Sequence, residues 1–143
     1  MSLVPLSRFC AFALFWLIVC NSIGAIESKV YYMPFSAITY YSITVENIES
    51  SIECPSVLSQ AQLTEIRNVL DSRKHTSFNN FMRNQVRLLV TDDRGARIFV
   101  DREGGVLLDG AQFQLSPESF SKLQGVLKRI VKHYGCPARK EPT

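Results

Sequence analysis

Three hydrophobic patterns follow one another along this chain, and each predicts a different kind of element. The first is a block without charge, Phe9 through Val19, preceded by Arg8 and followed by the small and polar run Asn21-Ser22-Ile23-Gly24-Ala25. Crossing a hydrocarbon core of about 30 Å takes about 20 apolar residues, and the block is shorter than that. It has the length of a signal h-region, so residues 1–25 read as a cleavable signal peptide cut after Ala25, with Ser22 and Gly24 as rival sites. Counting onward through Cys20 to Ala25 gives a second reading, an uncleaved amino-terminal anchor. A third comes from Leu17-Ile18-Val19-Cys20, which has the outline of a bacterial lipoprotein box with Cys20 as the lipid anchor. Val19 is larger than the residue that normally precedes the modified cysteine, which counts against it.

The second pattern has the period of a helix. Ser59 and Gln62 stand at capping-box spacing ahead of Leu63, Ile66, Val69 and Leu70, predicting an amphipathic helix over residues 60–72. Ser116, Pro117 and Glu118 mark a helix start in the same way. Phe120, Leu123, Leu127, Ile130, Val131 and Tyr134 follow as one stripe, and Gly135 stops it. Residues 58–70 and 115–127 echo each other; two capped helices docking on one sheet converge on such a pattern, and a duplicated unit is the other explanation.

The third pattern alternates. Residues 37–46 are rich in β-branched and aromatic side chains and predict a strand, with Thr39, Tyr41, Ile43 and Val45 on one face. Val86, Leu88 and Val90 alternate with Arg87, Leu89 and Thr91 in a strand over 86–91. Returning strands follow over 96–101, 106–108 and 111–115, separated by turns at Asp92-Asp93-Arg94-Gly95, Glu103-Gly104-Gly105 and Asp109-Gly110. Residues 46–55 and 73–84 are left as loops. The order is strand, helix, four strands, helix. It predicts an α+β fold, a mainly antiparallel sheet of about five strands with two helices on one face.

Composition adds limits. The 143 residues leave room for a signal and one domain, residues 26–143. The formal charge is +3, and removing the signal takes Arg8 and no acid with it, too mild a balance to point to nucleic acid or anionic lipid. Cys10 and Cys20 leave with the signal. Cys54 and Cys136 then form an even pair in a chain bound for an oxidising compartment, periplasmic or secreted, where a disulfide is expected. Closing a loop of that length stabilises by about 4–5 kcal/mol in the chain-entropy model.

Reactive chemistry is sparse. There is no paired-cysteine spacing and no H-E-x-x-H, and His75 and His133 stand alone, so no metal and no cofactor are expected. Asp92, Asp93, Asp101, Glu103 and Asp109 fall where hairpin turns want an acid. No G-x-S-x-G elbow is present, and no glycine loop precedes a helix to hold phosphate. Glu46, Glu49, Glu53 and Glu65 supply carboxylates for a small hydrolase, a class that needs a deep cleft.

Two surfaces are candidates for binding a protein partner. One is the aromatic cluster Tyr31, Tyr32, Phe35, Tyr40 and Tyr41, since tyrosine is enriched at recognition sites. The other is a basic patch of Lys122, Arg129 and Lys132 on the last helix, which also complements the negative end of the helix dipole. Residues 98–131, with the run Val100-Asp101-Arg102-Glu103-Gly104-Gly105-Val106 and Asp109-Gly110 ahead of a capped helix, resemble part of the periplasmic domain of biopolymer-transport proteins. That family's further strand and helix have no counterpart here, and the family is not adopted. The expectation is a small exported binding protein, not an enzyme, and within that class an immunity or inhibitor protein that neutralises an exported toxin or cell-wall hydrolase. Alternatives are an envelope assembly or accessory lipoprotein and a carboxylate-dependent hydrolase.

Overall fold

A computed structural model describes residues 26–52, 54–71, 75–77 and 80–131 of the chain. The expected signal peptide and Cys20, the anchor of the rival lipoprotein reading, together with Glu53, Lys132, His133, Tyr134 and Cys136, lie outside the described residues.

The fold is α+β. One antiparallel sheet contains strands β1 (Lys29–Tyr32), β2 (Ser56–Val57), β3 (Thr76–Ser77), β4 (Val86–Thr91), β5 (Arg97–Asp101), β6 (Gly105–Leu108) and β7 (Ala111–Gln114), in the order β2-β1-β4-β5-β6-β7-β3. Helices are α1 (Ile48–Ser51), α2 (Gln60–Val69) and α3 (Pro117–Ile130). The described sheet therefore has seven strands where about five were expected. Three of them were not expected: β1, which pairs with β4 although the strand was expected over residues 37–46, and the short edges β2 on β1 and β3 on β7, which carry too few residues to show an alternating pattern.

The meander from β4 to β7 follows the turn chemistry. Asp109 and Gly110 both take positive φ, 49° and 81°, the backbone that a type I′ turn needs to match strand twist. Asp101 organises the tighter turn between β5 and β6. Its Oδ1 accepts from the backbone N–H groups of Glu103 and Gly105 at 2.9 and 2.8 Å, and its Oδ2 from that of Met82 at 2.9 Å. Burial pushes this carboxyl above its ordinary range, and the three donors draw it back part of the way. A side chain on Gly105 would run into the same carboxylate, which is why glycine stands there.

Both long helices start as their sequences indicate. Ser59 and Gln62 form a reciprocal capping box, and the Ser116 hydroxyl accepts from the Ser119 N–H with Pro117 in the first turn. Helix α2 ends at Val69, short of the expected residue 72. The apolar stripes of α2 and α3 bury Leu63, Ile66, Val69, Leu123, Val126 and Leu127 against one sheet face, made of Val30, Tyr32, Leu88, Val90, Ile98, Val100, Val106 and Phe113. At about 25 cal/mol per Å² of apolar surface, this layer is the main source of stability.

The opposite face departs from the expectation. Tyr31, Leu89, Phe99 and Leu107 point to that side, where Ile43, Ile48 and Phe81 cover them. The strand expected over residues 37–46 does not form; only Ile43 bridges the sheet, to Gln85. The loop expected after it contains α1, with Ile48 wholly buried. Asn47 and Thr44 replace ladder bonds by local ones, Thr44 N–H to Asn47 Oδ1 at 2.7 Å and Asn47 N–H to Thr44 Oγ1 at 3.3 Å. Such side-chain bonds compete with strand pairing and here prevail over β propensity.

Asp92, after β4, is buried and forms an ion pair with a partly exposed arginine. Its Oδ1 accepts from the N–H groups of Arg94 and Ala96, both at 2.8 Å, while Oδ2 meets the Arg67 guanidinium of α2. Burial pushes this carboxyl up, but the two backbone donors and Arg67 together outweigh it, and the net displacement is downward. An acid held below its ordinary range stabilises the fold fully above that range, and the contribution is lost as pH falls through the folded value. Urea midpoints measured against pH should fall below pH about 3.9, and the fall should be shallower in Asp92→Asn.

Candidate functional site

The site begins with an irregularity in β4. Val86 pairs with Asp101 and Leu88 with Val100, so Arg87 is the extra residue of a β-bulge. The bulge breaks the alternation expected for this strand: Val86 joins Leu89 on the face away from the long helices, while Leu88 and Val90 serve the other. A bulge re-aims the side chain it carries, and bulges recur beside functional sites. Arg87 is only 4% exposed. Its Nη1 donates to the Val86 carbonyl at 3.0 Å and its Nη2 to the Ala37 carbonyl at 3.4 Å, while Nε is buried without a partner among the described residues. Among the described residues no carboxylate forms an ion pair with it. Burial lowers its pKa from the ordinary arginine value, and the nearby Arg102 charge lowers it further.

Around this guanidinium the chain makes a loop tied down at both ends. Ala37 is held by Arg87 and by its own N–H to the Pro34 carbonyl at 2.9 Å; Ile43 is held through its carbonyl to the Val86 N–H at 2.9 Å. Between these anchors Ile38, Tyr40 and Tyr41 stand out into solvent, with Tyr41 60% exposed and the other two more so. With Thr39, Ser42, Asn84, Gln85 and Arg102 they line a pocket of about 250 Å³ that has Arg87 in its wall. The site thus combines one buried cation, one exposed cation, amide and hydroxyl groups, and an apolar rim.

The aromatic residues singled out from sequence do not form one cluster. Tyr32 and Phe35 are core residues on the helix-covered face, their rings 5.5 Å apart, and Phe35 also meets Phe120 at 4.7 Å. Tyr31 packs, half-buried, on the opposite face. Tyr40 and Tyr41 alone reach the pocket. In the basic patch, Lys122 and Arg129 are exposed, and Arg129 pairs with Glu65 of α2 at 2.5 Å; Lys132 lies outside the described residues. Cys54 is exposed, and its expected partner Cys136 lies outside the described residues.

The carboxylates considered for hydrolysis go separate ways. Glu46 pairs with Arg83 at 3.9 Å, Glu49 with Arg97 at 2.9 Å and Glu65 with Arg129. Among the described residues no group of three or more metal-ligating side chains converges, and no described helix is long and apolar enough to cross a membrane. His75 stacks on Phe113 at 5.5 Å and its Nε2 lies 2.8 Å from the Val69 carbonyl.

Arg87 and Arg102 were missed from sequence. The available signal was an arginine inside an otherwise apolar stretch, Val86-Arg87-Leu88-Leu89-Val90, where a half-buried strand would hide its charge. In comparisons with known proteins the chain matches no family model, no curated protein and no solved structure.

Proposed function

We propose that this chain is a small exported binding protein that acts by surface complementarity and not by catalysis. The observation that carries the reading is the loop around Tyr40 and Tyr41. Large apolar side chains project into solvent there from a backbone anchored at Ala37 and Ile43, beside a buried arginine. Tyrosine offers contact area at small rotamer cost, and tyrosine and arginine together make up many binding hot spots. Within this class the specific reading is an immunity or inhibitor protein that neutralises an exported toxin or cell-wall hydrolase. That step rests on format, a compact exported domain with a recognition surface and no reactive constellation in its sequence. Export of a chain beginning near Ile26, and the Cys54 to Cys136 pairing as its staple, belong to the same proposal.

The test is affinity capture from the periplasmic or secreted fraction, using the full processed chain as bait. Wild type should retain a stoichiometric partner. The Tyr40→Ala/Tyr41→Ala double variant should bind it at least about tenfold more weakly, since each hot-spot tyrosine contributes on the order of 1–2 kcal/mol. Its stability should stay within about 0.5 kcal/mol of wild type, because both rings are exposed. Wild-type bait that returns no partner counts against the reading.

A further inference from the structure

A buried arginine normally meets a carboxylate. Leaving a charged group in the interior without a counter-ion is costly, and an apolar side chain of similar size in its place is often neutral or stabilising. Arg87 departs from that rule. It offers five N–H donors, of which two reach backbone carbonyls, one of these at the long distance of 3.4 Å. Among the described residues its Nε finds no partner. The nearest acid in sequence on the neighbouring strand, Asp101, is committed to the amides of Met82, Glu103 and Gly105. Arg102 adds a second positive charge at the pocket, and among the described residues it too lacks an ion pair. Among the described residues the pocket wall contains no acid.

We propose that the pocket between the 38–42 loop and the Arg87 bulge is a receptor for one carboxylate, presented as an aspartate or glutamate side chain of the protein partner. That the carboxylate belongs to a protein rests on the binding reading above; that the pocket takes a carboxylate does not. A planar guanidinium matches a carboxylate through paired N–H bonds. The pocket, about 250 Å³, is smaller than the common range for small-molecule sites, about 300–1,000 Å³, and suits a side chain. Asn84, Gln85, Ser42 and Thr39 supply further polar contacts, and the exposed Ile38, Tyr40 and Tyr41 offer an apolar rim to the stem and flanking residues of an acidic segment.

Nuclear magnetic resonance of the nitrogen-15-labelled chain tests this directly. Acetate, N-acetyl-glutamate and inorganic phosphate are titrated in turn at constant ionic strength set with chloride, following the arginine Nε–H signals. The Arg87 Nε–H and the Tyr40 and Tyr41 amides should shift saturably with the two carboxylates and less with phosphate. The response should vanish in Arg87→Met and weaken about two- to fivefold in Arg102→Met, the share of an exposed charge. Arg87→Met should melt no lower than wild type. Shifts that grow linearly, that persist in Arg87→Met, or that favour phosphate overturn the carboxylate receptor, as does an Arg87→Met chain that melts well below wild type, which marks a structural arginine. In the capture experiment, equal partner retention by Arg87→Met and wild type removes the acidic-side-chain inference and leaves the binding reading intact. A saturable carboxylate titration with no captured partner does the reverse.

Discussion

Asp101→Ala should lower the unfolding free energy by about 3–5 kcal/mol in a urea titration. The carboxylate accepts three backbone N–H groups, from Met82, Glu103 and Gly105, and the residue is 1% exposed. Each donor left buried without an acceptor costs about 1–3 kcal/mol, and partial access of water near the turn keeps the total below the sum of the largest values. The loss is not local to the turn. The Met82 bond also ties the segment carrying Phe81 to the edge of β5, and Phe81 covers the sheet face opposite the long helices. A loss below about 1 kcal/mol would mean that water replaces the carboxylate at all three amides. Gly105→Ala should destabilise as well, because the added methyl needs the space the carboxylate occupies.

The second large effect is expected at Ile48. Ile48→Ala should cost about 2–4 kcal/mol, the range for removing a wholly buried aliphatic side chain. The same substitution in an exposed polar loop, where the sequence places it, would stay within about 0.5 kcal/mol. Thermal or urea unfolding therefore decides between the two pictures of residues 46–52. The variant should also make Leu89, Phe99 and Leu107 more accessible, because Ile48 and Ile43 form the cover over that face. Faster amide exchange in β4 and β5 would report it.

The elements legible in sequence are those whose evidence is local. Ser59 with Gln62, and Ser116 with Pro117, mark helix starts because the caps satisfy amides within the same turn. The hairpin at Asp109-Gly110 is legible because its backbone demands positive φ from neighbouring residues. The stretch 37–46 carries strand-forming residues, yet its one link to the sheet is the bridge from Ile43 to Gln85, ahead of the bulged β4 and far along the chain, which nothing within the stretch reveals. The short edge strands β2 and β3 depend wholly on neighbours far along the chain. For the site, the sequence pointed to Tyr40 and Tyr41 but grouped them with Tyr32 and Phe35, which the sheet directs into the core. Arg87 was assigned to an alternating face, and one extra residue in the strand cancelled that assignment.

By itself the sequence determined the α+β class, the two capped helices and the order of the β4 to β7 meander, because periodicity and turn chemistry act between residues a few positions apart. Tertiary structure alone decided what covers the second face of the sheet, which tyrosines meet solvent, and that, among the described residues, a buried guanidinium stands beside them without an ion pair. Those outcomes depend on register and on contacts between distant segments, and a single bulge at Arg87 is enough to change which side chains face one another.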